Sequence, residues 1–274
     1  ECARAGGRYG GRISEDAGRM SERTCNVLLK GLEEPPPRTV WIRCAPGEAD
    51  LSPTVRSRVR SVRLKGPAVA EVADLISRRD GVDLALATRA AREAQSHIGM
   101  AHRLATNEQA RARRERTLAA ALGIRTVSDA VLAAGSLLEA AAEDAKAITQ
   151  ERDAEERANA LHSLGVEPGG TIPPALRAQL KSLEEDQKRR ATRSLRDGLD
   201  RIMVDLLSLF RDILLVQLGS DLDSVNAEIS DRVHAAAAAA TPALTLATLD
   251  AISTARRRIG NNVAPALALE AMLI

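Results

Sequence analysis

The chain has 274 residues and carries 39 Lys and Arg against 37 Asp and Glu, a net charge of +2. That balance gives no global argument for nucleic acid or an acidic membrane surface as partner, so basic runs must be judged one by one. Hydrophobic residues make up 45% but aromatics only 1%, so cores have to be built from Leu, Ile, Val and Ala, which suits packed helices and predicts a mainly α chain of two or three small domains. Cys2, Cys25 and Cys44 show no CxxC spacing and read as thiols in a reducing cytoplasm. No apolar run approaches the ~20 residues that cross a bilayer, and there is no signal-peptide pattern, so the expectation is a cytoplasmic protein with no membrane partner.

The first residue is Glu1 and the first Met is Met20, so the start reads as N-terminally truncated. Ala5 to Arg12 is rich in Gly and Arg and predicts little order. Ser21 is a good N-cap for a helix to about Glu34, with Val27, Leu28 and Leu32 on one face, stopped by Pro35-Pro36-Pro37. Thr39 to Cys44 is rich in β-formers and predicts a buried strand, and Ser61 to Leu64 a last, short one. Two strands make no stable sheet alone, which implies a partner upstream.

Beyond Gly66 the pattern is helical throughout. Pro67 suits a first turn, with Val69, Val72, Leu75 and Ile76 as a stripe closed by Arg79-Asp80-Gly81. Further helices are predicted over Asp83 to Ser96 and Ile98 through Leu104. Ser128 caps a long pattern carrying Val131, Leu132, Leu138 and Ile148, ending at Leu164-Gly165. Glu167 to Pro174 reads as a linker. A helix of some forty residues follows, with Leu176, Leu180, Leu183, Leu195, Leu199, Ile202, Leu206, Phe210, Ile213 and Leu214 at helical spacing, ended by Gly219. Two or three helices fill Asn226 to Ile274, broken near Pro242 and Asn261-Asn262.

No Gly-Lys pair exists, so a GxxxxGK[ST] phosphate cradle cannot be drawn, and no HExxH, GxSxG or zinc spacing occurs. His97 and His102 are five residues apart, off one helical face, and read as core or surface side chains; no metal site is assigned. Glu15 and Asp16 are open to two readings: an acidic pair able to hold Mg²⁺, or a favourable acidic flank for the next helix. Arg111 to Arg116, Lys188 to Arg190 and Arg256 to Arg258 could contact phosphates, but Glu108, Glu115, Glu184, Glu185 and Asp186 lie beside the first two. A solvated, ion-paired helix face is the stronger reading there. On spacing alone Arg58, in Thr54-Val-Arg-Ser-Arg-Val59, is one more loop arginine.

The run Asn26-Val-Leu-Leu-Lys-Gly-Leu-Glu-Glu-Pro-Pro-Pro-Arg38, then Thr39-Val-Trp-Ile-Arg-Cys44 and Thr54-Val-Arg-Ser-Arg58, resembles the AAA+ clamp-loader subunits of bacterial DNA polymerase III. The resemblance is to the delta-prime type, in its actinobacterial form. Glu15-Asp-Ala-Gly-Arg-Met20 resembles the family's acidic-pair segment as a vestigial Walker B, Gln95 to Ala105 its lid, and Arg256 to Glu270 the last helices of its collar. It implies a partial AAA+ α/β domain over residues 1–65, a helical lid over 66–115 and a helical collar over 116–274. It also implies that Arg58, with Ser57 as its motif partner, acts as an arginine finger on ATP held by a neighbouring subunit; Val59 stands where the family usually has Cys. A guanidinium suits that task because it is always charged and matches phosphate oxygens bidentately. The implied partners are gamma/tau and delta subunits, with the sliding clamp and primed DNA reached through the complex. ATP and Mg²⁺ would belong to the neighbours, with none bound by this chain, a non-catalytic subunit of a DNA-directed DNA polymerase holoenzyme (a nucleotidyltransferase). The rival readings are a truncated gamma/tau ATPase and a free-standing helical scaffold or nucleic-acid adaptor.

Overall fold

A computed structural model describes residues 10–14, 29, 31–45, 47–163 and 174–274. The chain divides into two units, 1–66 and 67–274.

In the first unit, β1 (Gly10–Ser14) and β2 (Thr39–Arg43) pair in parallel, with Ile13 opposite Ile42 and Arg12 opposite Trp41. β1 falls in the stretch expected to have little order. A strand forms there because its amides are satisfied across the ladder, in spite of a Gly-rich sequence without an apolar run. The Arg12 guanidinium sits 5.1 Å from the centroid of the Trp41 ring, a cation–π pair across the register. β2 is half exposed where a buried strand was expected: among the described residues β1 is its one neighbour, and Ile13, Val40 and Ile42 face solvent. Ser61 to Leu64 forms no strand, and Val62 and Leu64 are exposed. Residues 31–33 are helical and stop before the prolines. The turn from Pro36 to Thr39 closes with a 3.1 Å bond from Thr39 N to the Pro36 carbonyl and puts Arg38 at φ 59°, in the left-handed region that favours glycine. After β2, Ser52 and Pro53 open the single-turn α1 (Pro53–Arg56), held down by the buried Val55.

The second unit is helical: α2 (Val69–Asp80), α3 (Leu84–Glu93), α4 (Ile98–Thr106), α5 (Glu108–Gly123), α6 (Val127–Ser163), α7 (Pro174–Gln217), α8 (Ser230–Ala239), α9 (Pro242–Gly260) and α10 (Pro265–Leu273). α2 begins two residues after Pro67, capped by Ala68, whose N–H donates to Glu71 at 2.7 Å. α3 stops at Glu93, short of Ser96. Gln95 and Ser96 both take positive φ, and Ser96 N closes onto the Ala91 carbonyl at 2.9 Å. The same wrap ends α7 at Gly219 and α9 at Asn262, where Ser220 N reaches the Leu215 carbonyl and Val263 N that of Arg258, both at 3.0 Å. Thr126, not Ser128, starts α6: its Oγ1 accepts from Asp129 N, while Asp129 accepts from the N–H groups of Arg125 and Thr126. The Thr126 side chain first, then the N–H groups of Arg125 and Thr126, hold the Asp129 carboxyl below its ordinary range.

Two of the buried clusters are built on different residue types. Val72, Ile76, Ala87, Ala90, Ala91 and Leu104 fill the space among α2, α3 and α4. Leu137, Leu199, Met203, Leu206, Ile252 and Leu269 join α6, α7, α9 and α10. Several predicted core positions instead face solvent: Leu75, Val131 and Leu132. On α6 the buried face is Ala130, Ala133, Ala134, Leu137, Ala141 and Ala145, so small residues rather than the larger ones line the seam with α7. The predicted linker lies almost wholly outside the described residues. Among the described residues no single helix is long and apolar enough to cross a membrane.

Candidate functional site

The candidate site is the turn after α1. Pro53 fixes the first φ of the turn and Val55 buries its base, so the backbone closes with Ser57 N on the Pro53 carbonyl (3.1 Å) and Arg58 N on the Val55 carbonyl (3.0 Å). Ser57 Oγ donates to the Thr54 carbonyl at 3.1 Å. Arg58 then extends across the unit. Its Nε donates to Glu33 Oε1 at 2.6 Å, and its Nη1 to the Thr54 carbonyl at 2.8 Å and to Ser57 Oγ at 3.2 Å. Its Nη2 makes no bond among the described residues. The side chain is 38% exposed, so a permanent cation with two unspent N–H groups stands within reach of an outside acceptor. Ser57 and Arg58 are thus brought together; Glu15 and Asp16 lie outside the described residues. Glu33, which the sequence reading left unused, is the third member.

The segment from Gln95 to Ala105 makes its polar contacts inside the second unit. His97 caps α4 by accepting from Met100 N at 3.1 Å, and His102 lies 2.7 Å from Asp80. Arg103 pairs with Asp144, which also takes Arg113 at 2.8 Å and Arg201 at 3.2 Å. Among the described residues no group of three or more His, Cys, Asp or Glu is placed to hold a metal ion. Cys44 is a free, exposed thiol; Cys2 and Cys25 lie outside the described residues.

The basic runs are spent largely on carboxylates. Arg116 pairs with Glu143, Arg189 with Glu185 and Asp186, Arg190 with Asp153 and Glu156, and Arg256 bidentately with Asp200. Arg114 goes further and is buried: its Nε meets Asp205 at 3.0 Å, its Nη2 Asn226 at 2.6 Å, and Glu93 stands 3.6 Å away. Asn226 is fixed in turn by Asp212, which accepts from its backbone and side-chain N–H groups at 2.8 Å each. Burial pushes the Asp205 carboxyl above its ordinary range, with Arg114 opposing. Periodicity held one signal for this network, since Arg114 lies four residues from Ala110 and four from Leu118, both buried on α5. A cavity of about 410 Å³ opens beside these helices, and its walls alternate Arg113, Arg201 and Arg256 with Asp144, Asp200 and Asp205. Cations and carboxylates offset each other there, so it shows no preference for a charged ligand.

The architecture is therefore mainly α with an α/β remnant, and Arg58 belongs to the remnant. Residues 7–68 match the family model described as DNA polymerase III, delta subunit. That span carries β1, β2, α1, Glu33 and Arg58, so the likeness to the DNA polymerase III delta family lies in the segment that holds the candidate site. No curated protein matches the chain.

Proposed function

We propose that this chain is a delta-prime-like clamp-loader subunit of DNA polymerase III, working in the cytoplasm beside gamma/tau and delta subunits. Arg58 supplies a guanidinium to ATP and Mg²⁺ held by a neighbour, and the complex loads the sliding clamp onto primed DNA. Within 67–274, the helices up to about residue 115 act as the lid and the remainder as the collar that holds subunits together. The observation that carries this reading is the state of Arg58: anchored at Nε and Nη1, uncommitted at Nη2 among the described residues, and inside the segment matching the delta family. An arginine supplied in trans stabilises charge on the transferring phosphoryl group and makes hydrolysis depend on assembly. The pairing of the other basic runs leaves assembly, rather than broad phosphate binding, as the supported role for the helical unit.

Sedimentation of the chain mixed with gamma/tau and delta tests this. A stable hetero-oligomer is expected. Failure to co-sediment contradicts it and favours a free-standing helical scaffold or adaptor. ATP binding by the chain alone favours the truncated gamma/tau reading.

A further inference from the structure

We infer that Glu33 is the positioning residue of the arginine finger; this rests on the trans-acting role proposed for Arg58. Glu33 stands 25 residues before Arg58, on the last helical residue before the triple proline, and its Oε1 takes Arg58 Nε at 2.6 Å. The two side chains are 48% and 38% exposed, and an exposed ion pair of this kind adds little to stability. Its consequence is geometric. Nε is fixed on Glu33 and Nη1 on the Thr54 carbonyl, so two anchors set the plane of the guanidinium. The remaining nitrogen, Nη2, makes no bond among the described residues, and a phosphoryl oxygen fits its two N–H groups by charge and by donor geometry. An unanchored arginine would give up its rotamer freedom only when it meets the nucleotide. Here that loss is taken before assembly, so the transition state meets a preset donor. Glu33 touches neither nucleotide nor reacting atoms; it acts through Arg58.

The test is steady-state ATP hydrolysis by the complex of this chain with gamma/tau and delta, in the presence of clamp and primed DNA. Glu33→Ala should lower kcat by about threefold to tenfold with KM for ATP unchanged, because ATP is bound by the neighbour. Glu33→Gln retains an oxygen acceptor for Nε and should stay within about twofold of wild type. In an Arg58→Ala background, Glu33→Ala should add nothing. Glu33→Ser serves as a second truncation if Glu33→Ala fails to assemble. Wild-type kcat in the truncated variants, with Arg58→Ala depressed, overturns the role of Glu33 alone. A further drop in the Arg58→Ala background overturns it as well, since Glu33 would then act elsewhere. An Arg58→Ala complex that hydrolyses ATP at the wild-type rate removes the finger itself, and the inference falls with it.

Discussion

Asp80 accepts two bonds from Arg79, both 2.9 Å, and lies 2.7 Å from His102 Nδ1. Arg79, and after it His102, hold its carboxyl down at about 2. In the unfolded chain the same group titrates near 3.9. A depressed carboxylate contributes stability that is fully present above the unfolded value and is lost as pH falls through the folded one. Asp80→Asn should therefore unfold at a lower urea midpoint than wild type at pH 6, and the gap should narrow between about pH 4 and pH 2. A gap that stays constant down to pH 3 would refute this. The His102 contact was not legible in the sequence, because its partner comes from another helix, 22 residues earlier. Arg58 was legible only through its flanking residues, and Glu33 not at all: nothing local links a helix end to a turn 25 residues on.

The long helices were legible because their apolar positions recur at helical spacing over many turns, but their faces were misread where alanine did the packing. α6 and α7 run antiparallel, since Arg157, Asp153 and Asp144 on α6 meet Glu184, Arg190 and Arg201 on α7 in reverse order. The helices approach tightly at Gly198, where an added Cβ would lie 3.2 Å from the Ala141 carbonyl oxygen. A hydrophobicity pattern weights Val131 and Leu132 above Ala134 and Ala141, whereas close approach selects the small residues. Gly198→Val should cost about 1–3 kcal/mol, because its branches meet backbone that cannot move aside. Gly135, on the exposed side of α6, has nothing within 4 Å, and Gly135→Ala should gain up to about 1 kcal/mol from helix propensity. Urea denaturation of both variants checks the pair, and a neutral Gly198→Val would contradict the close seam. The sheet was the least legible element. β1 has no apolar run, its partner lies 29 positions on, and parallel pairing leaves no local signature.

At the scale of the whole molecule, the two units divide the work differently. The helical unit turns an almost neutral, highly charged composition inward, into ion pairs between helices and the buried Arg114–Asp205–Asn226–Asp212 network, which the sequence disguises as surface charge. In the α/β unit Arg58 is anchored on Glu33 and still 38% exposed, on a turn that the delta-family match includes. The proposed function rests on that anchored and exposed guanidinium, placed to act on a nucleotide bound by a neighbour. The direct measurement is the single-turnover rate of ATP hydrolysis by the assembled gamma/tau and delta complex with clamp and primed DNA, comparing wild type with Arg58→Ala. Loss of a trans-acting arginine should slow that step by about a thousandfold or more at the site served by this chain, with assembly intact. An unchanged rate at that site in an intact complex would contradict the account.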